Sequence, residues 1–80
     1  MTEKRLLPVS GKQMVKVFRK TGFQVDRQRG SHIVMSKGDV ILVIPNHAMV
    51  AKGTERGLIK DAGLTVEEFN KLLKKQNSNR

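Results

Sequence analysis

From Ser10 to Gly22 the apolar side chains Met14, Val17 and Phe18 return at helical spacing. Ser10 with Gln13 three residues on makes a capping box, and Gly22 offers a left-handed stop, so the pattern predicts a helix over about 11–21. The period then shortens to two. Residues 23–27 and 33–36 alternate apolar and polar positions, and the Gly-containing stretch 28–31 between them predicts a hairpin. A second turn at Lys37, Gly38 and Asp39 leads into the β-branched run 40–44, closed by Pro45, whose missing N–H ends sheet pairing. With a two-residue turn, Ile33 and Met35 share a face with Val40, Leu42 and Ile44. His32 and Val34 share the other with Ile41 and Val43.

Residues 46–52 read as a loop, after which Thr54 caps a helix through Leu58, Ile59 and Ala62 to a stop at Gly63. A further capping box, Thr65 with Glu68, opens a last helix with Val66, Phe69, Leu72 and Leu73 in one stripe. Residues 1–8 form a basic, loosely ordered lead and 76–80 a polar tail. The expected architecture is two-layer α+β: a helix, a three-stranded antiparallel sheet, then one or two C-terminal helices on the same face. One domain spans 1–80, with an ordered core over about 10–75.

A chain of 80 residues buries only roughly 60% of its unfolded surface, so its stability is modest and a partner adds to it. It has no cysteine, which removes disulfides, thiolate chemistry and zinc clusters and is consistent with a reducing compartment. The longest apolar run, 40–44, is too short to span a bilayer, and residues 1–8 lack the apolar stretch of a signal peptide. A cytoplasmic protein is expected, with no membrane partner.

Charge changes the picture most. Sixteen Lys and Arg against seven Asp and Glu leave a net +9, which favours a polyanionic partner, nucleic acid before an acidic protein. Lys12, Lys16, Arg19 and Lys20 fall in one sector of the first helix, opposite its apolar side, either as a solvated face or as a phosphate-contacting one. Arg27, Arg29, Lys37 and Lys52 add to the positive surface. With few aromatics for stacking, backbone and shape recognition suit this surface better than single-strand stacking.

The two histidines, His32 and His47, sit at neighbouring strand ends. Imidazole moves protons at neutral pH, and RNA cleavage needs a base for the 2′-hydroxyl with cations around the phosphorus. Read from the residues alone, His32 is a solvent-facing strand residue, a phosphate or base contact, or a general base. No short ligand spacing supports a metal site, and no cofactor motif is present. Glu67 and Glu68 favour a helix dipole, and Ser31 lacks the acid–base set of a nucleophile.

In order and spacing, Ser10-Gly11-Lys12, Gly22-Phe23, Arg27-Gln28-Arg29-Gly30-Ser31-His32, Ile44-Pro45-Asn46-His47, Gly53-Thr54, Ala62-Gly63-Leu64-Thr65 and Glu68-Phe69 together resemble the HicA toxins. The resemblance covers about 10–73, and the Gly-Ser-His tripeptide is its most specific element. It implies a fold like the double-stranded-RNA-binding domain, endoribonuclease activity against messenger RNA that blocks translation, and neutralisation by a HicB-type antitoxin. It also implies that His32 is catalytic. Arg27, Arg29 or Lys37 would hold phosphate, Gly30 and Ser31 would join the RNA-binding set, and His47 would act as a general acid or orient its loop. Residues 49–51 and 55–57 depart from the family pattern. A non-catalytic RNA-binding module of the same fold is the competing reading; a helix-turn-helix DNA binder fits the strand-like centre less well. Val34, Ile41 and Val43 would be exposed in a lone monomer, and an antitoxin or a second copy of the chain would cover them.

Overall fold

In a computed structural model of the chain, which describes residues 5–77, the Ser10–Gln13 capping box starts α1 (Gly11–Lys20). The Gln13 N–H donates to Ser10 Oγ at 3.1 Å and the Ser10 N–H to Gln13 Oε1 at 2.8 Å. Strands β1 (Gln24–Arg29), β2 (His32–Lys37) and β3 (Val40–Pro45) form one antiparallel sheet in the order β1-β2-β3. Helices α2 (Lys52–Asp61) and α3 (Val66–Asn77) follow. The Thr65–Glu68 box precedes α3, with both reciprocal hydrogen bonds formed at 2.8 and 3.0 Å. This is the expected α+β order.

The two hairpins are tight. Arg29 pairs with His32 and Lys37 with Val40, leaving two-residue loops at Gly30-Ser31 and Gly38-Asp39. Gly30 adopts φ +56 and no non-glycine residue among those described has positive φ, the φ signature of a type II′ turn. The β2–β3 register places Ile33, Met35, Leu42 and Ile44 on the helix-covered face, where all four are buried. Val40 shares that face but remains 38% exposed at the sheet's end, beside the turn.

Strand β1 departs from simple alternation. Val25 pairs with Met35, yet Arg27 pairs with Val34, so the register shifts by one residue between them. Asp26 is the extra residue of a β-bulge, and its carboxylate accepts a hydrogen bond from the Ser36 hydroxyl at 2.9 Å. Beyond the bulge β1 runs two residues further than expected, to Arg29. The bulge also reverses the facing of everything after it: Arg27 and Arg29 go to the open face, and Gln28, opposite Ile33, goes beneath α1.

Helices α1 and α3 pack against each other, α1 also lies on β1 and β3, and α2 packs on β3. Phe18 is the hub, with ring centroids 5.9 Å from Phe23 and 5.7 Å from Phe69 in tilted pairs. Around it Met14, Val17, Ile59 and Leu73 complete one continuous cluster.

Three further features differ from expectation. Helix α2 starts at Lys52 rather than after Thr54, because the Glu55 N–H already donates to the Ala51 carbonyl at 2.8 Å; its N-cap, Ala51, makes no side-chain bond. Residues 5–9 are not a loose lead: Leu6 and Leu7 pack on the core, Val9 is buried, and the Arg5 and Leu6 carbonyls accept from Asn70 Nδ2 at 2.7 Å and Lys52 Nζ at 3.3 Å. Helix α3 continues through Asn77 into the stretch read as tail, whereas residues 1–4 and 78–80 lie outside those described.

Gly11 seats α1 on the end of β3. A Cβ there would collide with the Pro45 carbonyl oxygen, and the Gly11 N–H donates to the His47 carbonyl at 3.0 Å. Gly11→Ala is therefore expected to cost about 1–3 kcal/mol by overpacking, although Gly→Ala in an exposed helix normally stabilises. Gly57→Ala in α2, where nothing lies within 4 Å of the new Cβ, gains about 0.5–1 kcal/mol. Denaturant melts of the two variants should shift in opposite directions, and a shared sign would contradict the close approach.

Glu55 is fully buried on α2 and both carboxyl oxygens lack a hydrogen-bond partner. Burial raises its pKa above the ordinary value of 4.5, against the lowering influence of Lys52 and Arg56. A folded state that holds this proton more tightly than the unfolded chain loses stability as pH climbs from about 4.5 through the raised value. Glu55→Gln, neutral throughout, should melt higher than the native chain at pH 7 and converge with it near pH 4. Thermal melts across that range check the sign.

Candidate functional site

The open face of the sheet is laid out by the strand pairing. At one end Arg29, His32 and Pro45 form a row across β1, β2 and β3, and behind it lie Arg27, Val34 and Val43. His32 is exposed, immediately after the Gly30-Ser31 turn, and its side chain makes no hydrogen bond or ion pair among the described residues. Directly opposed residues bring Cβ atoms to about 5 Å, so the Arg29 guanidinium is within easy reach of anything bound at the His32 imidazole. The bulge at Asp26 creates this arrangement, since plain alternation from Val25 would turn both arginines toward the helices.

On the other side of the sheet, α1 presents Lys12, Lys16 and Arg19 along one lip of a groove above the β1 edge. Val15, Val25 and Ile33 line it, and its volume is about 370 Å³. Lys20 is exposed on the same helix without lining this groove. Lys12 continues into a cleft of about 300 Å³ at the start of α1, shared with Ser10, Asn46, His47 and Ala48.

The two histidines are thus held by one end of the sheet. The Asn46 N–H donates to the Ser31 carbonyl at 2.7 Å, tying the chain after β3 to the turn before β2, and the His47 carbonyl receives Gly11. His47 itself is exposed and lines the cleft beside Lys12.

Lys37 lies elsewhere. At the far end of β2, roughly 17 Å from His32 at strand spacing, its ammonium donates to the Thr21 carbonyl at 2.6 Å and sits 5.7 Å from the Phe23 ring centroid. The larger cleft between residues 5–8 and Lys52 and Arg56, about 600 Å³, contains neither histidine. No three His, Asp or Glu side chains converge as a metal site among the described residues, and no helix there is long and apolar enough to cross a membrane.

Sequence reasoning passed over Gln28 and Asn46. Both stand inside quoted motifs, but only the bulge aims Gln28 inward, and only the Ser31 bond fixes Asn46 between the two clefts. Alternation patterns carry no signal for either.

An exposed imidazole beside guanidinium groups on one face of the sheet, and a cationic helix on the other, present positive charge of the kind that attracts anions. The family model described as the HicA toxin of bacterial toxin-antitoxin systems matches residues 11–64, from the start of α1 to the turn after α2. The chain belongs to the HicA toxin family, and so is the toxin member of a toxin–antitoxin pair. A search of curated proteins finds no match.

Lys37 cross-links α1 to the sheet, placing a cation at the helix C-terminus and over Phe23. Lys37→Met should cost roughly 1 kcal/mol of stability. Arg29→Met, whose side chain has no such ties among the described residues, should cost clearly less. Equal losses in urea melts would count against a structural role for Lys37.

Proposed function

We propose that this chain is an endoribonuclease that cleaves messenger RNA to block translation, with His32 as the general base. The observation that carries the reading is the exposed imidazole of His32 on the same sheet face as Arg29, its cross-strand partner, and Arg27. Neutral imidazole takes the proton of a ribose 2′-hydroxyl. The 2′-oxygen attacks the adjacent phosphorus, and the bond to the 5′-oxygen breaks, giving a 2′,3′-cyclic phosphate and a 5′-hydroxyl. The guanidinium groups offset charge gathering on the phosphoryl oxygens. The leaving oxygen takes its proton from water or from His47, which the tie between Asn46 and Ser31 keeps at the same end of the sheet. Apart from water, these steps use only groups of the RNA and of the chain, and call on no metal or cofactor.

RNA is held by Lys12, Lys16, Arg19 and Lys20 on α1 and by Arg27, Arg29, Gly30 and Ser31 at the hairpin, all exposed. Such a surface contacts phosphates and 2′-hydroxyls as double-stranded-RNA-binding folds do. The antitoxin is of the HicB type. Ile41 at 63% and Val43 at 49% exposure, with half-buried Val34, form an apolar patch continuous with His32, so a partner seated there would also cover the imidazole and inhibit by blocking.

Induced expression of the native chain should arrest growth and degrade messenger RNA, and His32→Ala should do neither while still binding RNA and antitoxin. With purified protein, single-turnover cleavage should fall by at least about a hundredfold in His32→Ala. RNA that is retarded but left intact by the native chain would make it a non-catalytic binding module.

A further inference from the structure

The groove between α1 and β1 has a chemistry that phosphate binding does not use. Its floor is apolar: Ile33 is only 6% exposed, and Val15 and Val25 are half-buried. Its lip is cationic through Lys12, Lys16 and Arg19, and no carboxylate lines it. At the end nearest the Gly30-Ser31 turn stand two side-chain amides, Gln28 and Asn46.

Neither amide is committed to the fold. Gln28 Nε2 makes one long, exposed contact with the Gly30 carbonyl at 3.4 Å, and its Oε1 makes none. Asn46 is anchored through its backbone N–H to Ser31, while its half-buried side-chain amide has no partner among the described residues. Each amide offers both a donor and an acceptor, the pairing that reads the edge of a nucleobase.

We infer that this groove is a base-reading pocket: it takes one unpaired nucleobase of the RNA substrate against Val15, Val25 and Ile33, reads its edge with Gln28 and Asn46, and holds the adjoining phosphates on Lys12, Lys16 and Arg19. The volume of about 370 Å³ lies at the small end of the roughly 300–1,000 Å³ of ligand sites, suited to a single nucleotide rather than a peptide segment. Charge agrees, since an apolar floor under three cations fits a flat base attached to phosphates better than an uncharged apolar side chain.

The pocket also has a definite relation to the reacting bond. Ile33, in its floor, directly follows His32, and Gln28 directly precedes Arg29; in each pair the first and second residues lie on opposite faces of one sheet layer. An RNA strand passing around the Gly30-Ser31 turn would place a base on the inner face and a nearby phosphodiester on the outer face at His32. The pocket therefore sets which nucleotide lies beside the cut. This inference rests on the proposed RNA cleavage, and the experiment separates the two.

The four ribonucleoside 5′-monophosphates and inorganic phosphate are titrated into the isotope-labelled native chain while side-chain amide and methyl resonances are followed. Binding of a pool of short RNAs is measured in parallel on His32→Ala, to keep the RNA whole. One or two of the four nucleotides should shift the Gln28 and Asn46 amides with the Val15, Val25 and Ile33 methyls, and inorganic phosphate should not. Gln28→Ala and Asn46→Ala, which remove amides the fold does not use, should each weaken the preferred RNA by about tenfold and flatten the base preference beside the cut site. Equal shifts from phosphate alone, or an unchanged cut-site preference in both variants with cleavage intact, would overturn the base pocket and leave the ribonuclease standing. Methyl shifts produced by the antitoxin and by no nucleotide would give the groove to the protein partner, also overturning it. No cleavage and no RNA binding by the native chain would instead bring down the reading on which it rests.

Discussion

The approach of α1 to the end of β3, close enough that only a glycine fits at position 11, is the constraint on which the rest of the molecule depends. Three backbone hydrogen bonds gather there: Gly11 to His47, Val50 to Val9 and Asn46 to Ser31. Together they bring the start of the first helix, the first hairpin turn and the exit of the last strand to one corner. Every residue assigned a chemical role, apart from Val15, Lys16, Arg19 and Lys20 further along α1, belongs to that corner or to the strands leading from it. The backbone groups that build it are satisfied locally, so the side chains of His32, His47 and Asn46 are left free of structural duty.

Much of this was legible in the chain itself. Both capping boxes, the two glycine-containing turns and the alternation of β2 and β3 predict α1, α3 and which β2 and β3 residues share a face, because each rests on interactions between residues near in sequence. His32 on the open face followed from parity alone. What sequence could not show was decided by distant contacts. Residues 5–9 become ordered through the buried Asn70 and through Lys52, partners 65 and 46 residues away. The start of α2 is fixed by its own backbone ladder, with the Thr54 hydroxyl playing no capping part. Lys37 reads as one more phosphate ligand, but it stands at the opposite end of β2 from His32, where its ammonium donates to the Thr21 carbonyl at the end of α1.

Stability and recognition are divided between different charges. Lys37 and Lys52 have their ammonium groups on backbone carbonyls, and Glu55 is enclosed without a hydrogen-bond partner, a tension that a small core can offset only partly. The cations of the α1 lip and the hairpin make no such commitments among the described residues. A partner that binds the folded chain therefore adds stability by mass action while meeting surface that the fold itself does not use.

The bulge at Asp26 carries a consequence for how such a chain can change over time. Facing in a strand is counted, not spelled: one residue more or fewer between Phe23 and the Gly30 turn would exchange the guanidinium groups beside His32 for the amide beneath α1 in a single step. A substitution along this arm changes one contact, whereas a change in its length changes every facing beyond it at once, so the hairpin behaves as a ruler on which spacing, more than any single side chain, sets what each face presents.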